Sequence, residues 1–144
     1  PFQTIENLVE DLLFIKEFNP HMVGIGPFIP HKDTPFGEHA AGSAKLTLKL
    51  ISILRLLLPK ANLPATTALN TLLSGGHQQG ILAGANVIMP NLSPQNVRDK
   101  YNLYNNKRHS GSEAAEGITL LQKQLAEIGY HTTVSRGDYP GVIR

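Results

Sequence analysis

Two neighbouring hydroxyls, Thr66 and Thr67, fall between Pro64 and Ala68 in an otherwise apolar stretch, where packing alone does not call for them. Hydroxyls at the end of a short strand donate hydrogen bonds to a carboxylate or another anion, so the pair reads as a substrate-binding element. Both residues are also β-branched, and strand propensity would select them without any ligand. Tyr101 and Tyr104 lie three apart after the last apolar stretch, where their phenols can close a cavity mouth or simply pack a surface loop. His31, Lys32 and Asp33 set an imidazole and a carboxylate two apart, but a metal site needs a third ligand, and the pattern suits a solvated loop. Ser74-Gly75-Gly76-His77 lacks the lysine of a phosphate-binding loop and the spacing of a dinucleotide fingerprint. Cysteine is absent from all 144 residues, which removes disulfides, thiolate zinc sites and cysteine-held iron–sulfur clusters from what these residues can build.

The elements that must position these side chains alternate regularly. Thr4 is a suitable N-cap, and Ile5, Leu8, Val9, Leu12, Leu13 and Ile15 recur at helical spacing up to the Asn19-Pro20 breaker. Met22, Val23 and Ile25, interleaved with Gly24 and Gly26, predict a strand over 22–27. Residues 27–42, rich in proline, glycine and charge, read as a long loop. Ser43 to Leu58 is a second helix, with Leu46, Leu50, Ile53, Leu54 and Leu57 on one face and Pro59 as its stop. A second strand is predicted over 62–67, a modest helix from Leu72 to Ala83, and a third strand over 85–89 ended by Pro90. A last helix is expected near Ser112 to Ile128, followed by a tail of turn residues.

Apolar strands separated by helices specify an α/β fold with a parallel sheet and outer helices. Each strand runs into a segment of proline, threonine, asparagine or histidine, as strands of a (β/α) barrel do at their C-terminal ends. Three strands cannot close a barrel of eight. The expectation is therefore part of a TIM-type barrel over residues 1–110, with a C-terminal helix and tail over 111–144.

With 41% hydrophobic and 17% charged residues the composition is globular, not that of a disordered segment. The formal net charge is +2, with no dense basic run, so a nucleic-acid partner is not expected. No apolar stretch reaches the ~20 residues that cross a bilayer, and no signal-peptide pattern opens the chain, so a cytoplasmic location without a membrane partner is the default. The chain begins at Pro1 without an initiating methionine and reads as the interior of a longer protein.

Three segments, Gly24-Ile25-Gly26-Pro27-Phe28-Ile29-Pro30-His31, Leu63-Pro64-Ala65-Thr66-Thr67-Ala68 and Gly84-Ala85-Asn86-Val87-Ile88-Met89-Pro90-Asn91, together carry a family likeness. They resemble the second half of the barrel in the FeFe-hydrogenase maturases, relatives of biotin synthase within the radical S-adenosylmethionine superfamily. The likeness extends over nearly the whole chain, to the closing Arg136-Gly137-Asp138-Tyr139. It implies an enzyme in which a 4Fe-4S cluster, held by a CxxxCxxC loop, cleaves S-adenosylmethionine to methionine and a 5′-deoxyadenosyl radical. That loop is not in this sequence. The resemblance thus implies the cofactor and cluster in a full-length parent, the N-terminal half of the barrel as partner, and a chain inactive by itself. By the same resemblance Thr66, Thr67, Met22, Met89, Tyr101 and Tyr104 face a small-molecule substrate, and Pro27, Phe28 and Ile29 line the adenosyl moiety. The implied task is assembly of the FeFe-hydrogenase active-site cofactor. Biotin synthase and methylornithine synthase relatives share the fold and chemistry and differ in substrate. A competing reading from another class is a non-catalytic half-barrel that dimerises or docks on a separately encoded N-terminal half.

Overall fold

The computed structural model describes residues 1–90 and 114–140. Helix α1, Ile5–Phe18, starts where a capping box satisfies its first amides: Thr4 Oγ1 accepts from the Asn7 amide at 3.3 Å, and Asn7 Oδ1 accepts from the Thr4 amide at 3.1 Å. It ends at Asn19, which takes the left-handed conformation before Pro20. Helix α2, Ala44–Leu57, is capped by the Ser43 hydroxyl, which accepts from the Leu46 amide at 3.1 Å, and stops ahead of Pro59. Ile51 and Leu54 of α2 are almost wholly buried, against Val23, Leu63, Ala65, Leu69 and Ala85.

The expected helix from Leu72 to Ala83 is instead two helices, α3 over Thr67–Leu72 and α4 over Gly76–Leu82. Leu73 is extended and Gly75 left-handed at φ +67, and these conformations interrupt the helical path. Helix α3 also begins earlier than the pattern suggested, because Thr66 supplies the N-cap. The last described helix, α5, spans Ala114–Ala126, and Leu125 anchors it in the core. The expected boundary at 110 and the expected helix start at Ser112 lie outside the described residues.

Full strands were expected over 22–27, 62–67 and 85–89; the structure joins these segments through single parallel bridges, Met22 with Asn62 and Pro64 with Val87. The middle segment is bonded on both sides. The Val23 amide donates to Asn62 O at 3.0 Å and the Asn62 amide to His21 O at 2.9 Å, while the Ala65 amide donates to Val87 O and the Asn86 amide to Leu63 O. The ladder is short for a physical reason: Pro64 has no N–H to give. Val23, Ala61, Leu63, Ala65 and Ala85 are buried among the helices, whereas Met22, Gly24 and Gly26, on the alternate positions, are exposed.

Arg55 ties the lower ends of these segments together. Its guanidinium donates to four backbone carbonyls, Gly84 at 2.8 Å, Pro59 at 2.8 Å, Ala61 at 2.9 Å and Leu58 at 3.4 Å, and to Asn86 Oδ1 at 3.0 Å. Asn86 Oδ1 also accepts from the Leu63 amide at 2.8 Å, and Asn86 Nδ2 donates to Asn62 Oδ1 at 3.3 Å. Gly84 admits this clamp, since a Cβ there would meet Arg55 Cβ at 2.8 Å and the backbone stands at φ +117. Beneath the same ends runs the tail. Gly129, at φ +79, lets the Tyr130 amide return to Leu125 O at 2.9 Å. The chain then crosses to Asn62, whose Nδ2 donates to Gly137 O at 3.4 Å, and to His21, on which Tyr139 stacks at 4.3 Å.

Replacing Arg55 by Met keeps the aliphatic stem and strands its acceptors. Urea denaturation should then show a loss of about 2–3 kcal/mol, with Arg55→Lys recovering less than half because a single ammonium cannot span the same acceptors. A loss below about 0.5 kcal/mol would remove the clamp from this account.

Candidate functional site

Carried upward from the two bridges, the register sets Gly26 level with Thr66, and Thr66 level with Met89. One close approach supports this alignment directly: a Cβ placed on Gly26 would stand 2.8 Å from Thr66 Oγ1. Gly26, Pro27, Thr66 and Met89 therefore occupy the same end of the three segments, the C-terminal end where parallel strands present their loops. Met22 lies four residues lower, level with Asn62, at the end held by Arg55 and the tail. At about 3.3 Å per residue that places it roughly 13 Å below Gly26. Tyr101 and Tyr104 lie outside the described residues.

Thr66 is half-buried and serves as the N-cap of α3, its Oγ1 accepting from the Leu69 amide at 3.3 Å. Acceptance of that bond leaves the hydroxyl proton for another acceptor. Thr67 is the first residue of α3, and its carbonyl accepts from the Thr71 hydroxyl at 2.9 Å. Pro27 is buried, Phe28 and Ile29 are half-buried, and Met89 is 59% exposed.

After Pro27 the chain makes a loop whose ends are pinned together by the Gly42 amide donating to Phe28 O at 2.8 Å. Aromatic rings meet across it: the exposed Phe36 ring lies 6.4 Å from Phe28 and 5.5 Å from His39. His31 is committed within this loop, its Nδ1 accepting from the Asp33 amide at 3.2 Å with the Asp33 carboxylate 3.8 Å away. Among the described residues no cluster of three histidine, aspartate or glutamate side chains forms. Ser74-Gly75-Gly76-His77 is the turn into α4. Gly75 has no side chain to cap that helix, and Asn70 Oδ1, from the preceding helix, accepts from the His77 amide at 3.3 Å. Sequence reasoning gave Asn70 no such role, since its partner lies seven residues away across a helix break.

Apolar clefts flank both free edges of the three segments. One of about 500 Å³ runs along Gly24, Ile25 and Gly26 beside Leu12, Ile15 and Leu54. The other, about 570 Å³, runs along Ala85, Val87 and Ile88 beside Leu121 and Leu125. Thr66 and Thr67 line neither.

No family model matches the chain. Over 129 residues, 90% of its length, it is 53% identical to the [FeFe] hydrogenase maturase subunit HydE of Thermotoga maritima. Over that stretch the chain is similar to part of a HydE-type radical S-adenosylmethionine maturase. It spans 37% of the length of that HydE. It is also 34% identical over 84 residues to the 3-methylornithine synthase of Methanosarcina acetivorans, and 33% identical over 90 residues to that of Methanosarcina barkeri. These matches cover 58% and 62% of this chain and 23% and 25% of the two synthases.

His77 is one described group whose ionisation bears on stability near neutral pH. Its Nε2 is buried without a hydrogen-bond partner among the described residues, and burial pulls its pKa below 6.5. The unfolded chain therefore takes up the proton first as pH falls. Stability should be flat above about pH 7, decline as pH drops through 6.5 and level off once the folded imidazole is also protonated. In His77→Leu this decline should vanish from the denaturation midpoints between pH 7 and pH 5. A slope unchanged by the substitution would assign acid sensitivity elsewhere.

Proposed function

We propose that this chain is the substrate-side half of a radical S-adenosylmethionine barrel that takes part in assembling the FeFe-hydrogenase active-site cofactor. The 53% identity to HydE is the observation that carries the reading. The level shared by Gly26, Thr66 and Met89 supports it, as it gathers three separate segments at one end. The clefts on both edges support it too: each offers an apolar seat for a neighbouring strand and helix, which a closed barrel supplies. A barrel of this family needs three thiolates for its cluster, and this sequence has no cysteine. The residues present do not fit the cluster. Its ligands belong to the N-terminal half, and no step of the radical chemistry is assigned to these residues.

What these residues contribute is binding and shielding. Thr66 and Thr67 offer hydroxyl donors to the substrate's anionic group. Pro27, Phe28 and Ile29 wall off the adenosyl moiety, and a dry wall suppresses side reactions of a reactive species. A 3-methylornithine synthase activity is the second reading, favoured by the 34% and 33% identities, which are lower and shorter than the match to HydE.

Thr67→Val in the full-length parent keeps the side-chain shape and removes one donor. Loss of a hydrogen bond to a charged group costs about 1.5–3 kcal/mol, so substrate affinity should fall roughly ten- to a hundred-fold. S-adenosylmethionine cleavage without substrate should persist. Normal substrate turnover by this variant would remove Thr67 from the site, and a parent that cleaves no S-adenosylmethionine would favour the non-catalytic half-barrel.

A further inference from the structure

Gly26 needs an explanation that its backbone does not supply. It is not among the residues with positive φ, so an alanine would suffer no conformational strain there. Gly24, two residues earlier on the same segment and likewise exposed, would meet nothing within 4 Å if given a Cβ. At Gly26 the added carbon would press on one atom above all, Thr66 Oγ1 at 2.8 Å, while Thr66 Cβ and Cγ2 stand back at 3.6 Å. That oxygen is held by its second role, accepting the Leu69 amide that begins α3.

We infer that Gly26 is a positioning residue for the Thr66 hydroxyl: its bare Cα leaves the space in which Oγ1 both caps α3 and turns its proton to an acceptor. The inference rests on the reading of Thr66 as a substrate-facing donor and adds the residue that decides whether the donor is presented. Any side chain at position 26 drives Oγ1 off its cap, so the site loses a donor without any change to Thr66 itself. The ligand group served is an acceptor such as a carboxylate, because the cap has taken the hydroxyl's accepting role.

The test is amide hydrogen exchange and methyl NMR on the isotope-labelled full chain, with acetate as the probe. Loss of a threonine cap corresponds to roughly fivefold faster exchange of the Leu69 amide, and Gly26→Ala should show it while Gly24→Ala does not. Thr66→Ala should show the same acceleration, and adding Gly26→Ala to it should change nothing further, since the contact is gone. Acetate should shift the Thr66 methyl signal in the unaltered chain and not in Gly26→Ala. If Gly26→Ala alone fails to fold, the paired variant with Thr66→Ala should fold. Unaltered Leu69 exchange in Gly26→Ala, additive effects of the two substitutions, or a paired variant that also fails to fold would overturn the inference. The expected Leu69 pattern with a Thr66 methyl that ignores acetate would leave Gly26 as the positioning residue and overturn the substrate-facing reading of Thr66.

Discussion

Three chain segments that share only single bridges need another reason to stay side by side, and the Arg55 guanidinium provides it. Its five donors are shared among carbonyls from the end of α2, the start of the middle segment and the turn before the third, with Asn86 relaying the contact to Leu63 and Asn62. A planar fork of fixed donors suits this task because it holds several acceptors in one geometry at once. Partial burial lowers its pKa, yet a guanidinium stays charged throughout the ordinary pH range, so the clamp does not switch. The tail adds a second tie beneath the same ends, through Gly137 on Asn62 and Tyr139 on His21.

Fixing the lower ends aligns the upper ones. The register set at Met22 with Asn62, and at Pro64 with Val87, determines which residues face each other four and two positions further on. Thr66 starts α3 and, on the proposed function, also serves as a ligand donor. The small residue opposite it keeps the two compatible. Packing among Ile51, Leu54, Leu63 and Leu69 underlies both, as these buried side chains hold α2 and α3 against the middle segment.

The helix limits that depend on near neighbours were legible in the sequence. Thr4 and the Asn19-Pro20 pair bound α1, and Ser43 and Pro59 bound α2, because caps and breakers act within a few residues. The resemblance to FeFe-hydrogenase maturases was legible as well, in three segments whose combination is specific. What sequence reading missed depends on distant pairs. Thr66 as a helix cap competes with its reading as a strand residue, and β-branching favours the strand. Arg55 sits on a strongly amphipathic helix where a cation reads as solvated surface, and its acceptors at Gly84 and Asn86 are 29 and 31 residues away. Met22 shares a segment with Gly26, and only the pairing to Asn62 reveals that it lies at the opposite end.

The loop that follows Pro27 leaves and rejoins the fold at nearly one point, where Gly42 meets Phe28 across a single 2.8 Å hydrogen bond. A change in the length of the stretch beyond Ile29 costs only the logarithm of its size in closure entropy. The segments beneath do not have to move to accommodate such a change. A longer or shorter insert would therefore leave the register of the bridged segments as it is.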